Sequence, residues 1–420
     1  MRGRAGQDRQ REHDAWPSRR LVSVWFACFA VYAGLLALLA GGEDGIWGAW
    51  GFGAYAIAAL ALRFTDGSAS ASGDTGDRWW PGLAIVVGGG LIGPFLYLAI
   101  THPDPAEVTV MARGAVHLVR HGTPYLPVSQ LTAWTSYNPY LPLMDLFGLP
   151  RAGLGTASGL ARVFGDPRIY TSLFTGALLA ISFALMARHD VRTCAQCRAR
   201  STRITVIAVT SPVIGFPLVL GITDPPVIAV TILALSFLAR GWLTRTALAV
   251  AVACALKYTA WPLVPVFVAA AWARYSLRDA ARLLVTALVA ACALALAAAP
   301  NALSNPASIV ANTLDYPLGL TKIKTVAASP LPGHLLASTG HAGHTAAVAI
   351  LLVALLVFAA WLIVRPPRSY RDVAVRLAVA YILLFTLAPA TRYGYYIYPL
   401  ALLFWLPLSR GQEPRRQEAR

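Results

Sequence analysis

A chain of 420 residues that is 57% hydrophobic, 13% charged and of mean hydropathy +0.58 carries more apolar side chain than a soluble surface can hide. Its formal charge of +16 therefore sits in loops between apolar segments. This is not a nucleic-acid footprint, because no basic face interleaved with aromatics lies on a soluble domain, and no nucleic-acid partner is expected.

Residues 1–20 form a basic, polar tail that is too long for the n-region of a signal peptide, and the first apolar stretch has no convincing cleavage site. Apolar segments at 21–40, 46–63, 81–100, 169–187, 204–221, 226–239, 283–299, 346–364, 377–390 and 393–408 predict ten transmembrane helices. The stretch 246–272 differs, holding Lys257 and Pro262 between Arg245 and Arg274. It predicts two half-helices that enter and return, broken around Lys257–Pro262, and such backbone persists in a membrane only where protein or a cavity covers it. The fold class expected is thus all-α and polytopic: ten full spans, a broken helix pair, and cytoplasmic tails at 1–20 and 409–420.

Basic residues set the orientation. With both termini cytoplasmic, 26 of the 35 Lys and Arg fall on inner segments and eight on outer ones, with Lys257 inside the broken pair. The Gly/Ser/Asp segment 64–78 and the tails have the composition of disordered chain. Cys194 and Cys197 make the CxxC of this five-cysteine chain, behind His189. Without a second ligand pair they read as reduced thiols, and neither a disulfide framework nor a metal site nor a cofactor is expected.

Two outer segments, 101–168 and 300–345, are much longer than turns require. They hold Tyr125, Trp134, Tyr137, Tyr140, Phe147 and Tyr316, so their composition is not that of disordered loops. The first begins Asp104-Pro105-Ala-Glu107, which reads as N-cap, N1 proline and N3 acid. Val108, Met111, Ala112, Ala115 and Val119 then recur on one face, opposite Thr109, Arg113, His117 and Arg120, before Gly122 supplies a stop. This predicts an amphipathic helix on the outer surface. Capping accounts for both acids, and general-base catalysis by one of them is the alternative.

The run Gly122-Thr-Pro-Tyr125-Leu-Pro, then Tyr137-Asn138-Pro-Tyr-Leu-Pro142, follows that helix. Further on come Gly221-Ile-Thr-Asp224, the Lys257-Tyr-Thr-Ala-Trp-Pro262 break, and Ala388-Pro-Ala-Thr-Arg392-Tyr393-Gly-Tyr395-Tyr-Ile-Tyr-Pro399. In this order, from about 81 to 408, the motifs resemble glycosyltransferases of the GT-C fold. They resemble most the polyprenol-phosphate-sugar-dependent mannosyltransferases of actinobacteria, glycosyltransferase family 87. The resemblance implies a cell-membrane enzyme that moves a sugar, mannose being the expectation, from a polyprenyl-phosphate donor to a lipid or glycan acceptor. The hairpin 21–80 would then be an N-terminal addition to a catalytic domain at 81–408.

The sequence departs from the family in its acid, usually an aspartate in the loop after the first span. Here Glu107 has the better spacing to Gly122-x-Pro-Tyr125, Asp104 is the aspartate nearby, and Glu43 and Asp44 rank third in a loop too short for substrate. Transfer from a lipid phosphate also needs cations for the departing charge. Arg392 lies between two spans among Tyr393 and Tyr395, and snorkelling or an aromatic belt accounts for them equally well. Lys322, Lys324 and Lys257 are the three lysines of an arginine-rich chain, and an ionisable group within a membrane is a functional candidate by default. Tyr125, Tyr137, Asn138 and Asp224 complete the expected substrate-binding set, although Asp-Pro-Pro is also an ordinary turn. No DxD occurs in an outer loop, which leaves metal-bridged nucleotide sugars without support. The competing expectation is a secondary transporter or lipid flippase using the Lys257 break.

Overall fold

The computed structural model describes residues 18–64, 79–186 and 195–408. Cys194, His189 and the side chain of Cys197, the segment 65–78, and most of both tails lie outside the described residues. The described chain is helical throughout, and its extended pairing is an isolated parallel bridge between Ala328 and Thr391.

Six helices are long and apolar enough to cross a bilayer: Arg19–Leu39, Gly42–Phe64, Trp80–Thr101, Gly159–Met186, Leu277–Ala298 and His341–Val364. They make this a polytopic helical membrane protein, with fewer clear spans than the ten expected. The differences have local causes. The apolar run 204–221 breaks at Ser211 and Pro212 into helices Ala195–Thr210 and Gly215–Leu220. Asp224–Ala239 and Ile397–Leu408 are helical but short, and Tyr370–Leu387 carries Arg371, Asp372 and Arg376 in its first two turns. Its start is fixed by a capping box between Ser369 and Asp372.

The chain divides into two compact units. In the first (1–102, 179–220 and 407–420), helices Arg19–Leu39 and Gly42–Phe64 pack as a tight hairpin. A Cβ at Gly48 would stand 2.5 Å from the backbone nitrogen of Ala37, so the close approach requires glycine there. The third helix passes through a π-turn at Gly88–Ile92, where the Gly90 carbonyl accepts the Trp47 indole N–H at 3.1 Å. Tyr55, fully buried, donates its hydroxyl to the Thr210 carbonyl.

The second unit (103–178 and 221–406) holds the remaining long loops. The helix break expected in 246–272 is present, as helix Leu243–Leu256, a 3-10 turn at Tyr258–Ala260, then helix Leu263–Arg274, but the two halves do not pair as the expected entering and returning segments would. Both halves pack along Leu277–Ala298 rather than on each other. Lys257 sits in the gap with extended backbone (φ −156°, ψ 139°).

The helix expected after Asp104 runs Ala106–His121, one residue later than the capping pattern predicts. Pro105 takes the N-cap position, so Asp104 caps nothing with its side chain and instead pairs with Arg151 at 3.3 Å. The buried face is Val108, Val110, Met111, Gly114, Ala115 and Leu118, while Val119 is exposed. That face is covered by protein: a Cβ at Gly148 would meet the Met111 carbonyl at 2.4 Å, so the following loop packs directly on it. Gly122 ends the helix in the left-handed conformation (φ 71°) as expected.

Candidate functional site

Four stretches of the second unit converge on one cleft. Glu107 projects from the first turn of Ala106–His121. Gly221 (φ 74°) turns the chain into Thr223 and Asp224 at the head of Asp224–Ala239. Only glycine suits that turn, because a Cβ would come within 2.2 Å of Val108 and 3.1 Å of Arg168. Lys257 comes from the helix break. Arg392 and Tyr395 come from the connection before Ile397–Leu408. That connection is held to the 316–331 loop by the Ser329 and Thr391 amides, donating to Thr391 and Ala327 carbonyls at 2.9 and 2.8 Å.

The charged groups alternate along a continuous row. Arg392 Nη1 lies 3.4 Å from Glu107 Oε1. Glu107 Oε2 accepts the Thr223 amide at 2.9 Å and the Thr223 hydroxyl at 2.7 Å. Lys257 Nζ donates to the Thr223 hydroxyl at 3.0 Å and to Asp224 Oδ1 at 2.5 Å. Tyr398 donates to the same Asp224 oxygen at 2.7 Å and shares a hydrogen bond with Thr259 at 2.8 Å. Burial increases along the row: the side chains of Arg392 and Glu107 are 35% and 19% exposed, those of Lys257 and Asp224 4% and 2%. The Lys257 ammonium also faces the rings of Tyr140 and Tyr395, at 5.5 and 5.4 Å.

Burial alone would raise Glu107, but the Lys257 ammonium, the Thr223 hydroxyl and the Arg392 guanidinium together hold its carboxyl below the usual range. It is therefore ionised at neutral pH. The cleft that it faces is narrow, with a cavity volume of about 60 Å³. Trp134, Tyr137, Tyr140, Tyr316 and Tyr395 line it together with Glu107, Lys257 and Arg392. The rings of Tyr137 and Tyr316 stack 4.2 Å apart.

Behind this wall lies a carboxylate that sequence reasoning missed. Asp145 is fully buried, and both of its oxygens accept the Asn138 amide at 3.0 and 3.1 Å. The Asn138 N–H donates in turn to Asn312 at 2.7 Å. Burial pushes the Asp145 carboxyl well above the usual carboxylate range, against the Asn138 amide and the Arg113 guanidinium. Arg113 itself ties the 135–137 turn, donating to the Tyr137 carbonyl at 3.0 Å and to the Thr135 carbonyl. This knot shapes the segment that presents Tyr137 and Tyr140.

The expected site residues therefore separate. Glu107, Arg392, Lys257, Tyr137 and Tyr395 line the cleft, and Asp224 supports Lys257 from behind. Asp104 does not face it: Arg151 holds Asp104 and also reaches Asp166 at 3.6 Å, and Asp166 binds Arg168 at 2.7 Å. Tyr125 is buried and donates to the Tyr140 carbonyl at 2.9 Å, and Asn138 is committed to Asp145, so both support the wall without lining it. Lys322 and Lys324 are exposed and Tyr393 is 55% exposed, and none of the three lines the cleft. Glu43 and Asp44 start helix Gly42–Phe64 in the first unit. Thr223 was missed because a threonine before Asp-Pro-Pro looks like an ordinary helix cap. Comparison with models of protein families, with curated sequences and with solved structures returns no match to this chain.

Proposed function

We propose that this chain is a membrane glycosyltransferase of GT-C type, moving a sugar from a polyprenyl-phosphate donor to a lipid or glycan acceptor at the outer face of the cell membrane. Mannose is the proposed sugar, and both termini are cytoplasmic on this reading. The observation that supports it most is the convergence of Glu107, Arg392 and Lys257, from three distant parts of the sequence, on one aromatic-lined cleft.

The chemistry asked of these groups is simple. Glu107 takes the proton from an acceptor hydroxyl as the oxygen attacks the anomeric carbon. The bond from that carbon to the phosphate oxygen breaks, and the electron pair leaves with the polyprenyl phosphate. Arg392 stabilises that charge, since a guanidinium binds phosphate through two parallel hydrogen bonds. Its contact with Glu107 is long, at 3.4 Å, and the arginine is about one-third exposed, so an arriving phosphate can compete for it. Losing Arg392 to the phosphate makes Glu107 a stronger base when one is needed. Trp134, 42% exposed, offers an apolar face on which a sugar ring can lie, beside the stacked pair of Tyr137 and Tyr316.

The test is incubation of membranes containing the protein with labelled polyprenyl-phosphate sugars. A labelled lipid or glycan that forms with wild type and not with Glu107→Gln supports the reading, and no product from any such donor overturns it. The second reading, a secondary transporter or lipid flippase, is favoured by the buried Lys257–Asp224 pair at a helix break. Ligand uptake into proteoliposomes without chemical change is its mark.

A further inference from the structure

Thr223 occupies the N-cap position of Asp224–Ala239, but Pro225 and Pro226 stand at N2 and N3 and have no N–H for its hydroxyl to accept, so its side chain makes no capping hydrogen bond and is free for another partner. Here the hydroxyl is buried and turned the other way, into the contact between Glu107 and Lys257. Its single proton can point in only one direction. A lysine ammonium has three donors and no acceptor, so towards Lys257 the hydroxyl must accept; its proton therefore goes to Glu107 Oε2. The Thr223 amide donates to the same oxygen. Oε2 is thus held twice, at 2.7 and 2.9 Å, whereas Oε1 has one contact of 3.4 Å to Arg392.

We propose that Thr223 is the positioning residue of this site: it anchors Glu107 through Oε2, so that Oε1 is the oxygen turned to the cleft and the one that accepts the proton of an incoming hydroxyl. The inference rests on the glycosyl-transfer reading for the identity of that hydroxyl and on geometry alone for the division of labour between the two oxygens. The groups around Glu107 are Lys257 and Arg392 as cations, Asp224 across the lysine, and the hydroxyls of Tyr140 and Tyr395. Among these Thr223 alone bridges the carboxylate to the lysine, so it also fixes how strongly Lys257 is felt at Glu107. A hydrogen bond to the charged form favours ionisation, and its loss makes the carboxylate easier to protonate.

The experiment compares Thr223→Val, Thr223→Ala and Thr223→Ser in the full-length protein, with two readouts. The first is the infrared carboxylate band of Glu107, isolated by subtracting the Glu107→Gln spectrum and followed against pH in purified protein. This readout does not depend on any transfer reaction. Val and Ala should move the Glu107 titration to higher pH, and Ser should restore it; Ala carries the comparison if Val does not fold. The second is the pH profile of labelled-sugar transfer. Val and Ala should reduce turnover about tenfold to a hundredfold at little change in KM, as expected for one hydrogen bond to a charged group, with the acidic limb moved to higher pH. An unmoved titration in Val and Ala, or a Ser variant that behaves like them, overturns the proposal. Absence of product with the wild-type protein would instead overturn the functional reading, leaving the infrared result to stand by itself, whereas full transfer by Glu107→Gln would overturn the role given to Oε1.

Discussion

Replacing Lys257 by methionine keeps the length of the side chain and removes its charge, which isolates the buried ion pair. Lys257 Nζ and Asp224 Oδ1 are 2.5 Å apart, with side chains 4% and 2% exposed. At an effective dielectric of about 20, two unit charges at that separation attract by about 6–7 kcal/mol. Desolvating the two ions costs several kcal/mol each, so the pair as a whole contributes little net stability. Breaking it is another matter, because Asp224 would remain buried and charged with the Tyr398 hydroxyl as its donor, and such changes cost about 3–5 kcal/mol. Unfolding entropy of about 2.1 cal/mol/K per residue gives about 0.9 kcal/mol/K over 420 residues, so the melting temperature should fall by about 3–6 °C. The 12 tryptophans allow the melt to be followed by intrinsic fluorescence in detergent. Adding Asp224→Asn to Lys257→Met should recover most of the loss, since the orphaned charge is gone. A Lys257→Met variant as stable as wild type, or a double variant worse than the single, would refute the account.

Glu107→Gln should lower transfer by about 10²–10⁴-fold with an unchanged melt, whereas Asp104→Asn should keep turnover and cost about 1 kcal/mol through its contact with Arg151; equal losses of turnover would mean the two acids were assigned wrongly. Arg392→Lys keeps the charge and loses the fork, so its turnover should approach that of Arg392→Ala; wild-type turnover would show that Arg392 only snorkels. Asp145 has its folded carboxyl raised, so its contribution to stability is complete below the ordinary aspartate value and declines as pH rises towards the raised one. Asp145→Asn should flatten that decline in melts from about pH 4 upward, and a profile parallel to wild type would count against a protonated Asp145. On a cysteine-free background, an impermeant thiol reagent applied from outside should label Ser129→Cys and miss Arg368→Cys, both exposed positions; the reverse pattern would remove the topology on which the outer-face site depends.

The parts of the site readable from sequence were those that break a local expectation. Lys257 interrupts an apolar run, Glu107 lies in the first turn of a helix that ends at a Gly-x-Pro-Tyr stop, and Arg392 stands between two apolar segments; all three line the cleft. What stayed hidden was set by distant partners. Spacing along the chain favours Glu107 without excluding Asp104, and it is Arg151, far downstream, that draws the aspartate away. Asp145 lies in the apolar run Leu-Met-Asp-Leu-Phe, where nothing local announces a buried knot with Asn138. The same limit applies to the spans. Mean hydropathy runs smoothly through 204–221 and does not register that Ser211 and Pro212 end a helix there. A count of outer basic residues does not show that Arg113, Arg151 and Arg168 are each committed to partners within their own segment.

The row Arg392, Glu107, Lys257, Asp224 holds two cations and two carboxylates, so the cleft is electrically neutral before anything binds. On the proposed reaction a donor phosphodiester adds one negative charge. Transfer then moves a proton onto Glu107 while the leaving phosphate gains a second charge, so the total is unchanged during the chemical step. Only when that proton escapes does the cleft become more negative, with a dianion facing a restored carboxylate. If the proposed reaction holds, repulsion drives product expulsion and ties it to deprotonation, and Glu107 is reset in the same event that clears the cleft.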